Sequence, residues 1–330
     1  VPALHASLPR DRFLALPDHG SAPGGARRVG VEVEFAGLTV AEAADVIQHH
    51  WGGERSSDEP REINVRGTRL GTVRVELDIA LKSQWTEDLA ETVLGDLIPV
   101  EVITDPLPQP ALRKVALLLD QLHAAGALGT REKLAYGFGI HFNVELPENG
   151  VGLVATARAF GLCEDWLRAV EPLDPARRVL PFVTPWPRPF VAALAEGRDW
   201  RPRDLARAYA ALAPSRQYGL DLLPVLQHCC AAELVAIPPE NLKGPRPAFH
   251  YRLPETRLGE AGWSLAYEWN RWCVIEHVAS DTALLAELAR DWGARDGVLS
   301  RLSGAWAAHV GARLWASDLA RRMGLEKEAI

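Results

Sequence analysis

Hydrophobic and polar positions along this chain switch repeatedly between two periods. From Val29 to Phe35 they alternate, with Val31, Val33 and Phe35 on one side and Glu32 and Glu34 on the other, the period of a half-buried strand. Val40, Ala43, Ala44, Ile47 and Trp51 then share one face of a helix, which Thr39 and Glu42 can start and Gly52-Gly53 can stop. Strands are predicted near 62–65 and over 72–79, where Val75, Leu77 and Ile79 oppose Arg74, Glu76 and Asp78. A helix over 86–97, a strand over 99–104 and a helix over 110–124 follow. Alternation returns over 138–146, with Ile140, Phe142 and Val144 against His141, Asn143 and Glu145. A helix over 152–170 leads into 171–202, where seven prolines exclude long regular structure. Helices at 203–213 and 219–229, a strand at 249–258 and helices at 263–278, 281–293 and 299–323 complete the pattern.

A doubly wound parallel sheet buries both faces and needs continuously apolar strands. These strands alternate, so the expected class is α+β: a sheet of about six strands backed by helices, with its other face polar and open to solvent or a site. Residues 1–26 read as a flexible N-terminal arm, and 27–330 as a single catalytic domain. That domain carries the Pro-rich insertion at about 171–202 and a C-terminal helical segment at 281–330.

Composition narrows the function. The chain is 48% hydrophobic and 24% charged, an ordinary globular balance. A net charge of −7 argues against a general nucleic-acid partner, which needs a basic surface. Apolar runs fall short of the roughly 20 residues of a membrane span. There is no signal-peptide pattern at the start. Cys163, Cys229, Cys230 and Cys273 form no framework spacing, which suits a reducing cytoplasm, and Cys229-Cys230 read as buried small hydrophobes. Only five of the 36 basic residues are lysines, a bias expected of a GC-rich bacterial genome.

The polar faces carry the chemistry. Glu32 with Glu34, Arg74 with Glu76 and Asp78, Glu101, His141 with Asn143, and Glu255 with Arg257 lie on five predicted strands. Two carboxylates about 4 Å apart repel by about 4 kcal/mol at an effective dielectric near 20. A cluster of them must take up protons, scatter or hold cations. Carboxylate oxygens with an imidazole suit Mg²⁺ or Mn²⁺, and a guanidinium's paired donors suit phosphate. Together they describe a nucleoside-triphosphate site, yet neither a G-x-x-x-x-G-K-[ST] loop nor a G-x-G-x-x-G turn is present. Any ATP must be held by the sheet. His49-His50 end a helix and carry no site role, and Trp263, Trp269 and Trp272 read as packing residues.

Four segments, Gly30-Val-Glu-Val-Glu-Phe35, Glu101-Val-Ile-Thr-Asp-Pro-Leu107, Gly139-Ile-His-Phe-Asn-Val144 and Pro254-Glu-Thr-Arg-Leu258, occur in this order. They resemble the motifs of the amidoligases, in the glutamine synthetase / glutamate–cysteine ligase superfamily of carboxylate–amine ligases. The resemblance runs from about Arg28 to Val278. It implies an antiparallel, curved half-barrel sheet of the glutamine-synthetase type, binding ATP over two or three Mg²⁺ ions. It also implies an amide-forming ligase working through an acyl phosphate. By position, Glu32, His141 and Glu255 would serve one metal, and Glu34, Asp78 and Glu101 another, with Glu76 competing for the place of Asp78. Arg257 would neutralise the transferred phosphoryl group, and Arg216, in Ser215-Arg-Gln-Tyr-Gly-Leu-Asp221, could touch phosphate or the substrate carboxylate. Asn143, where relatives often carry histidine, would sit beside the nucleotide; Asp221 and Asp105-Pro106 are further departures from the pattern.

The implied partners are a small-molecule or peptide carboxylate and an amine, with an amidotransferase or a peptide precursor as a protein partner. A phosphagen-type kinase on the same fold, a non-catalytic nucleotide-binding protein and a metal-dependent hydrolase are the rival readings. Release of ADP with an amide, with a phosphorylated amine, or no need of ATP at all, separates them.

Overall fold

The computed structural model describes residues 3–17, 27–56, 61–78, 99–132, 137–147, 150, 152–175, 177, 183–295 and 303–325. The helix predicted over 86–97 lies outside them.

Six strands of four or more residues match the predicted ones: β1 (Arg28–Phe35), β3 (Glu62–Thr68), β4 (Gly71–Leu77), β5 (Val100–Thr104), β7 (Ile140–Glu145) and β9 (Ala248–Tyr251). Three two-residue strands, β2 (Glu54–Arg55), β6 (Leu107–Pro108) and β8 (Leu220–Asp221), were not visible as alternation and bring the total to nine among the described residues. The order is β2-β3-β4-β5-β1-β7-β9-β8, with β6 beside the start of β1, and every pairing is antiparallel. The two ends of this path do not meet, so the sheet is open.

The strand expected over 249–258 is a correction. It stops at Tyr251, because Pro254 has no N–H to offer a ladder, and Glu255 makes only an isolated bridge to Gly139.

Each long strand turns its apolar residues to the helices. Val29, Val31, Val33 and Phe35 of β1 and Ile140, Phe142 and Val144 of β7 are buried to within 1%. Helix α1 (Val40–Trp51) starts in a full capping box, in which Thr39 Oγ1 accepts from Glu42 N and Glu42 returns a bond to Thr39 N, and it packs on β3 and β4. Helices α2 (Leu112–Ala124), α3 (Leu153–Val170), α4 (Arg188–Glu196), α5 (Pro202–Leu212) and α6 (Leu223–Cys230) follow. Helix α7 (Leu265–Ser280) is buried almost all round, and its Trp269 and Trp272 meet Phe142, Phe249 and Tyr251 at 5.1–5.6 Å between ring centroids. Those two tryptophans are packing residues, as expected. Trp263 precedes the helix and is half-buried.

Beyond α8 (Thr282–Gly293), the single helix expected over 299–323 is two, α9 (Ser303–Ala316) and α10 (Leu319–Arg322). Ser317 breaks it: its hydroxyl donates back to Leu314 O and accepts from Leu319 N, competing with the helical ladder. Cys229 and Cys230 also depart from expectation, since Cys229 is exposed and Cys230 half-buried at the end of α6.

Residues 3–17, expected to be a loose arm, are docked. Leu4, Leu8 and Leu14 join the same core cluster as the sheet and α7. Asn270, fully buried, accepts from Leu14 N at 2.8 Å and donates to Pro9 O and Arg12 O at 2.8 and 2.9 Å, while Trp269 Nε1 donates to Leu14 O. One side chain thus satisfies three backbone groups of a segment that has no regular structure of its own beyond a single 3₁₀ turn at Leu4–Ser7. Replacing Asn270 with Ala should leave those groups unpaired, at about 1–3 kcal/mol for each buried loss. We expect Asn270→Ala to lower unfolding free energy by roughly 2–4 kcal/mol in urea titration and to open the segment to limited proteolysis. Wild-type stability and cleavage pattern in this variant would contradict the pinning role.

Candidate active site

Pairing register, more than any single residue, builds the site. Residues directly opposite one another on antiparallel strands share a face. Glu76 lies opposite Glu101, and Glu101 opposite Glu34, so three carboxylates form one row across β4, β5 and β1. The next row is Arg74, Ile103, Glu32 and His141. A third runs from Gly30 through Asn143 and His250 to Asp221. The rows are two residues apart along β1, and hence on the same side of the sheet.

A cavity of about 440 Å³ opens over this face. Glu32, Glu34, Asp78, Glu101 and His141 line it, with Glu76 and Arg74 on the β4 side and Arg177, Arg216, Arg252 and His250 on the other. His141 stands at the centre. Its Nδ1 is 2.7 Å from Glu32 and 3.9 Å from Glu101, and its Nε2 is 3.5 Å from Glu34. His250 packs edge-on against it at 5.2 Å and points Nε2 at Glu32 from 3.7 Å. Behind it, Nδ1 of His250 lies 3.4 Å from the buried Asp221 carboxylate, which also receives Arg216 Nε at 3.2 Å. Asn143 donates to Glu32 at 2.7 Å, and Glu34 accepts from Gly139 N at 2.7 Å.

Two groups could hold cations: Glu32, His141 and His250, and Glu34, Glu101 and His141, with the donor atoms of each within 4.8 Å of one another. They share His141. Burial opposes ionisation of Glu32, but the two imidazoles outweigh it and hold that carboxyl well below its usual range. Burial pushes Glu101 the opposite way, well above it, reinforced by repulsion from Glu32, Glu34, Asp78 and Glu76. Burial also lowers His141, against the pull of Glu32 and Glu34, so its ring favours the neutral form that a metal ligand needs. The Nε2 of His250 is buried and has no hydrogen-bond partner among the described residues. An orphaned imidazole nitrogen facing a carboxylate, beside an acid pushed towards protonation, fits a divalent cation well.

Three expected residues stand outside the cavity lining. Asn143 reaches the site only through Glu32. The Glu255 carboxylate accepts from Asp174 N at 2.6 Å and from Arg257 Nε and Nη2 at 2.9 and 2.8 Å. Arg257 donates two further N–H groups to Glu171 and Pro172 O, tying the loop after β9 to the start of the Pro-rich stretch. The geometry does not bring Glu255 into either cation group.

His250, Arg252 and Arg177 are site residues that the motif comparison left out. Two of them were legible: Phe249 and Tyr251 alternate with His250 and Arg252 as on the other strands. Arg177 follows no period, and nothing in the sequence marks it.

No curated protein matches the chain. A family model described as "putative amidoligase enzyme" matches residues 25–274, a span that takes in every strand of the sheet and every residue lining the cavity. The chain belongs to this amidoligase family.

Proposed function

We propose that the protein is an ATP- and Mg²⁺-dependent carboxylate–amine ligase that forms an amide through an acyl phosphate. The observation carrying this reading is the two-sided cavity: two cation groups sharing His141, with Arg177, Arg216 and Arg252 on the far side of the same space. Acids that gather metal and guanidiniums that gather phosphate are what a nucleoside triphosphate needs in place of a phosphate-binding loop. A family of ligases supplies the reaction type.

Glu32, His141 and His250 would hold one Mg²⁺, and Glu34 and Glu101, with Asp78 at the edge, another, because a neutral imidazole has one lone pair and His141 can serve a single ion at a time. When bound, the metal neutralises the β- and γ-phosphate oxygens and acts as a Lewis acid. Asp221 fixes His250 in the orientation that turns Nε2 to the site, and Asn143 fixes Glu32. The substrate carboxylate attacks the γ-phosphorus and displaces ADP. The amine then attacks the acyl carbon and displaces phosphate. No covalent nucleophile from the protein is required, because phosphoryl transfer depends mainly on positioning and charge stabilisation. Arg216 lines the cavity and remains assigned to phosphate or the substrate carboxylate. Arg257, with all three of its nitrogens engaged by Glu255, Glu171 and Pro172, is assigned to positioning the loop rather than to direct phosphate contact. The acid is a small molecule or a peptide, as is the amine.

The reading is tested by turnover with hydroxylamine in place of the amine. An acid that stimulates ATP consumption should yield ADP and a hydroxamate in equal amounts. Glu34→Gln should slow this by at least about 10²-fold, comparable with removing one preorganised group from developing charge. ADP release without hydroxamate, together with a phosphorylated amine when the amine itself is supplied, would establish the kinase instead.

A second expectation concerns protons. Glu101 is raised in the fold, so it is charged in the unfolded chain over a pH range where the folded state resists its ionisation. Its contribution to stability is therefore complete below the ordinary carboxylate range and is lost as pH rises through the folded value. Metal-free Glu101→Gln should be more stable than wild type, by a margin larger at pH 8 than at pH 5 in thermal melts. The same change should weaken Mn²⁺ at least about 10-fold, the loss expected even for a residue one shell further out. Wild-type Mn²⁺ affinity should fall as pH is lowered from 8 to 6, with proton release on binding seen by calorimetry in two buffers. Binding that is independent of pH, or unchanged in Glu101→Gln, would remove Glu101 from the metal site.

A further inference from the structure

Gly139 is where the frame of the sheet touches a proposed metal ligand. Its N–H donates to Glu34 Oε2 at 2.7 Å, and its carbonyl accepts from Glu34 N at 3.0 Å and from Thr256 Oγ1 at 2.9 Å. With Oε2 held by the backbone, Glu34 Oε1 is the oxygen left 3.5 Å from His141 Nε2. The direction of this carboxylate therefore follows the position of residue 139. That residue precedes β7 and makes only an isolated bridge, to Glu255.

Arg177 supplies the missing support. It is 2% exposed, and it donates from Nη1 to Gly137 O at 2.6 Å and from Nη2 to Arg252 O at 2.8 Å. One planar guanidinium thus ties the approach to β7 to the segment just past the end of β9. The backbone has made room for it. Gly139 is not left-handed, so its lack of a side chain answers to space: a Cβ there would lie 2.5 and 2.8 Å from the Arg177 terminal nitrogens. The stretch that carries Arg177 is itself fastened, by Arg257 at Glu171 and Pro172 O and by Glu255 at Asp174 N. Burial works against the charge of Arg177, and Glu34 and Glu255 favour it.

We propose that Arg177 is a positioning residue for the metal site: by clamping residues 137–139 it sets the Gly139 N–H, and through that N–H the Glu34 carboxylate. This rests on the cation half of the ligase reading. The charge of Arg177 belongs to the cationic side of the cavity, and its bonds serve the frame. Groups that orient a metal ligand from behind commonly govern 10- to 100-fold in affinity. Charge and clamp predict opposite signs. A cation near a metal site repels the metal, so removing Arg177 for its charge alone would tighten binding.

The test reads Mn²⁺ affinity by calorimetry, without nucleotide or substrate, with thermal melts to confirm the fold. Arg177→Gln should weaken Mn²⁺ at least about 10-fold, although it removes a positive charge. Gly139→Ala should do the same. Alanine accepts this backbone, and its Cβ meets the end of a flexible side chain, so the protein should fold with the guanidinium displaced. Asn270→Ala, destabilised at a distance from the site, should bind Mn²⁺ as wild type does. In a Glu34→Gln background neither Arg177→Gln nor Gly139→Ala should lower affinity further, because the route through Glu34 is gone. Should Arg177→Gln fail to fold, Gly139→Ala decides the matter alone. Unchanged or tighter binding in either folded variant, a like loss in Asn270→Ala, or a further loss in the Glu34→Gln background would overturn the clamp. Wild type that binds no Mn²⁺, or Glu34→Gln that binds it as wild type does, would remove the metal reading and the clamp with it.

Discussion

The opposition of Glu34 and Glu101 across β1 and β5 is the constraint from which the rest of this structure follows. Like charges directly opposite one another weaken a strand pair, and here Glu76 extends the row on the next strand. Such a register survives only where something else enforces it. The other face of the same strands does so: Val31, Val33 and Phe35 of β1 and Val100 and Val102 of β5 are buried, and a one-residue slip would turn them all into the cavity. Burial of each such side chain is worth about 1.5–3 kcal/mol. A handful of them outweighs the repulsion of a carboxylate row, and Glu101 relieves part of it by favouring its protonated form.

The histidine side of the site is held by a different route. Helix α7 presses Trp269 and Trp272 onto Phe142, Phe249 and Tyr251, the back-face residues that alternate with His141 and His250. Their positions fix β7 against β9, and so fix the two imidazoles edge to face. Asp221 then sets the direction of His250 from β8. The same helix carries Asn270, which pins residues 9–14 on its far side. Packing behind the sheet and geometry in front of it are one problem, solved by aromatic residues on alternate positions.

Much of this could be read from the sequence, and what could not has a physical reason. Alternation placed six strands and located Glu32, Glu34, Asp78, Glu101 and His141 on their polar sides, and the cavity brings those five together. Periodicity is blind to register, so it could not show that Glu34 faces Glu101 or that Glu32 faces His141. It was equally blind to where a strand stops. Reading β9 through to residue 258 set Glu255 and Arg257 on the same ladder as the acids, whereas Pro254 ends the ladder and the pair closes on itself and Glu171. Two-residue strands and docked coil leave no period at all. Leu4, Leu8 and Leu14 looked like a loose arm because their burial depends on Asn270, some 260 residues away.

Apart from Arg74 on β4 and Asp78 just past its end, the acids and arginines of the cavity occupy different kinds of backbone for a reason of charge. Carboxylates that must converge would scatter on flexible segments, so Glu32, Glu34, Glu76 and Glu101 sit on strands whose far faces are locked in the core. Arginines are drawn towards that acidic floor, and attraction can hold what repulsion would disperse. Arg216 lies in the turn before β8, Arg252 just past the end of β9, and Arg177 in the Pro-rich stretch. Rigid elements thereby carry the part of the site that resists assembly, and connecting segments carry the part that assembles spontaneously. Connecting segments also tolerate changes of length and sequence far better than paired strands. A protein built this way can keep one acidic floor while its cationic wall is rebuilt around a new ligand. Within this family, ligand recognition should therefore vary in the loops around Arg177 and Arg216, and the strand rows beneath should stay as they are.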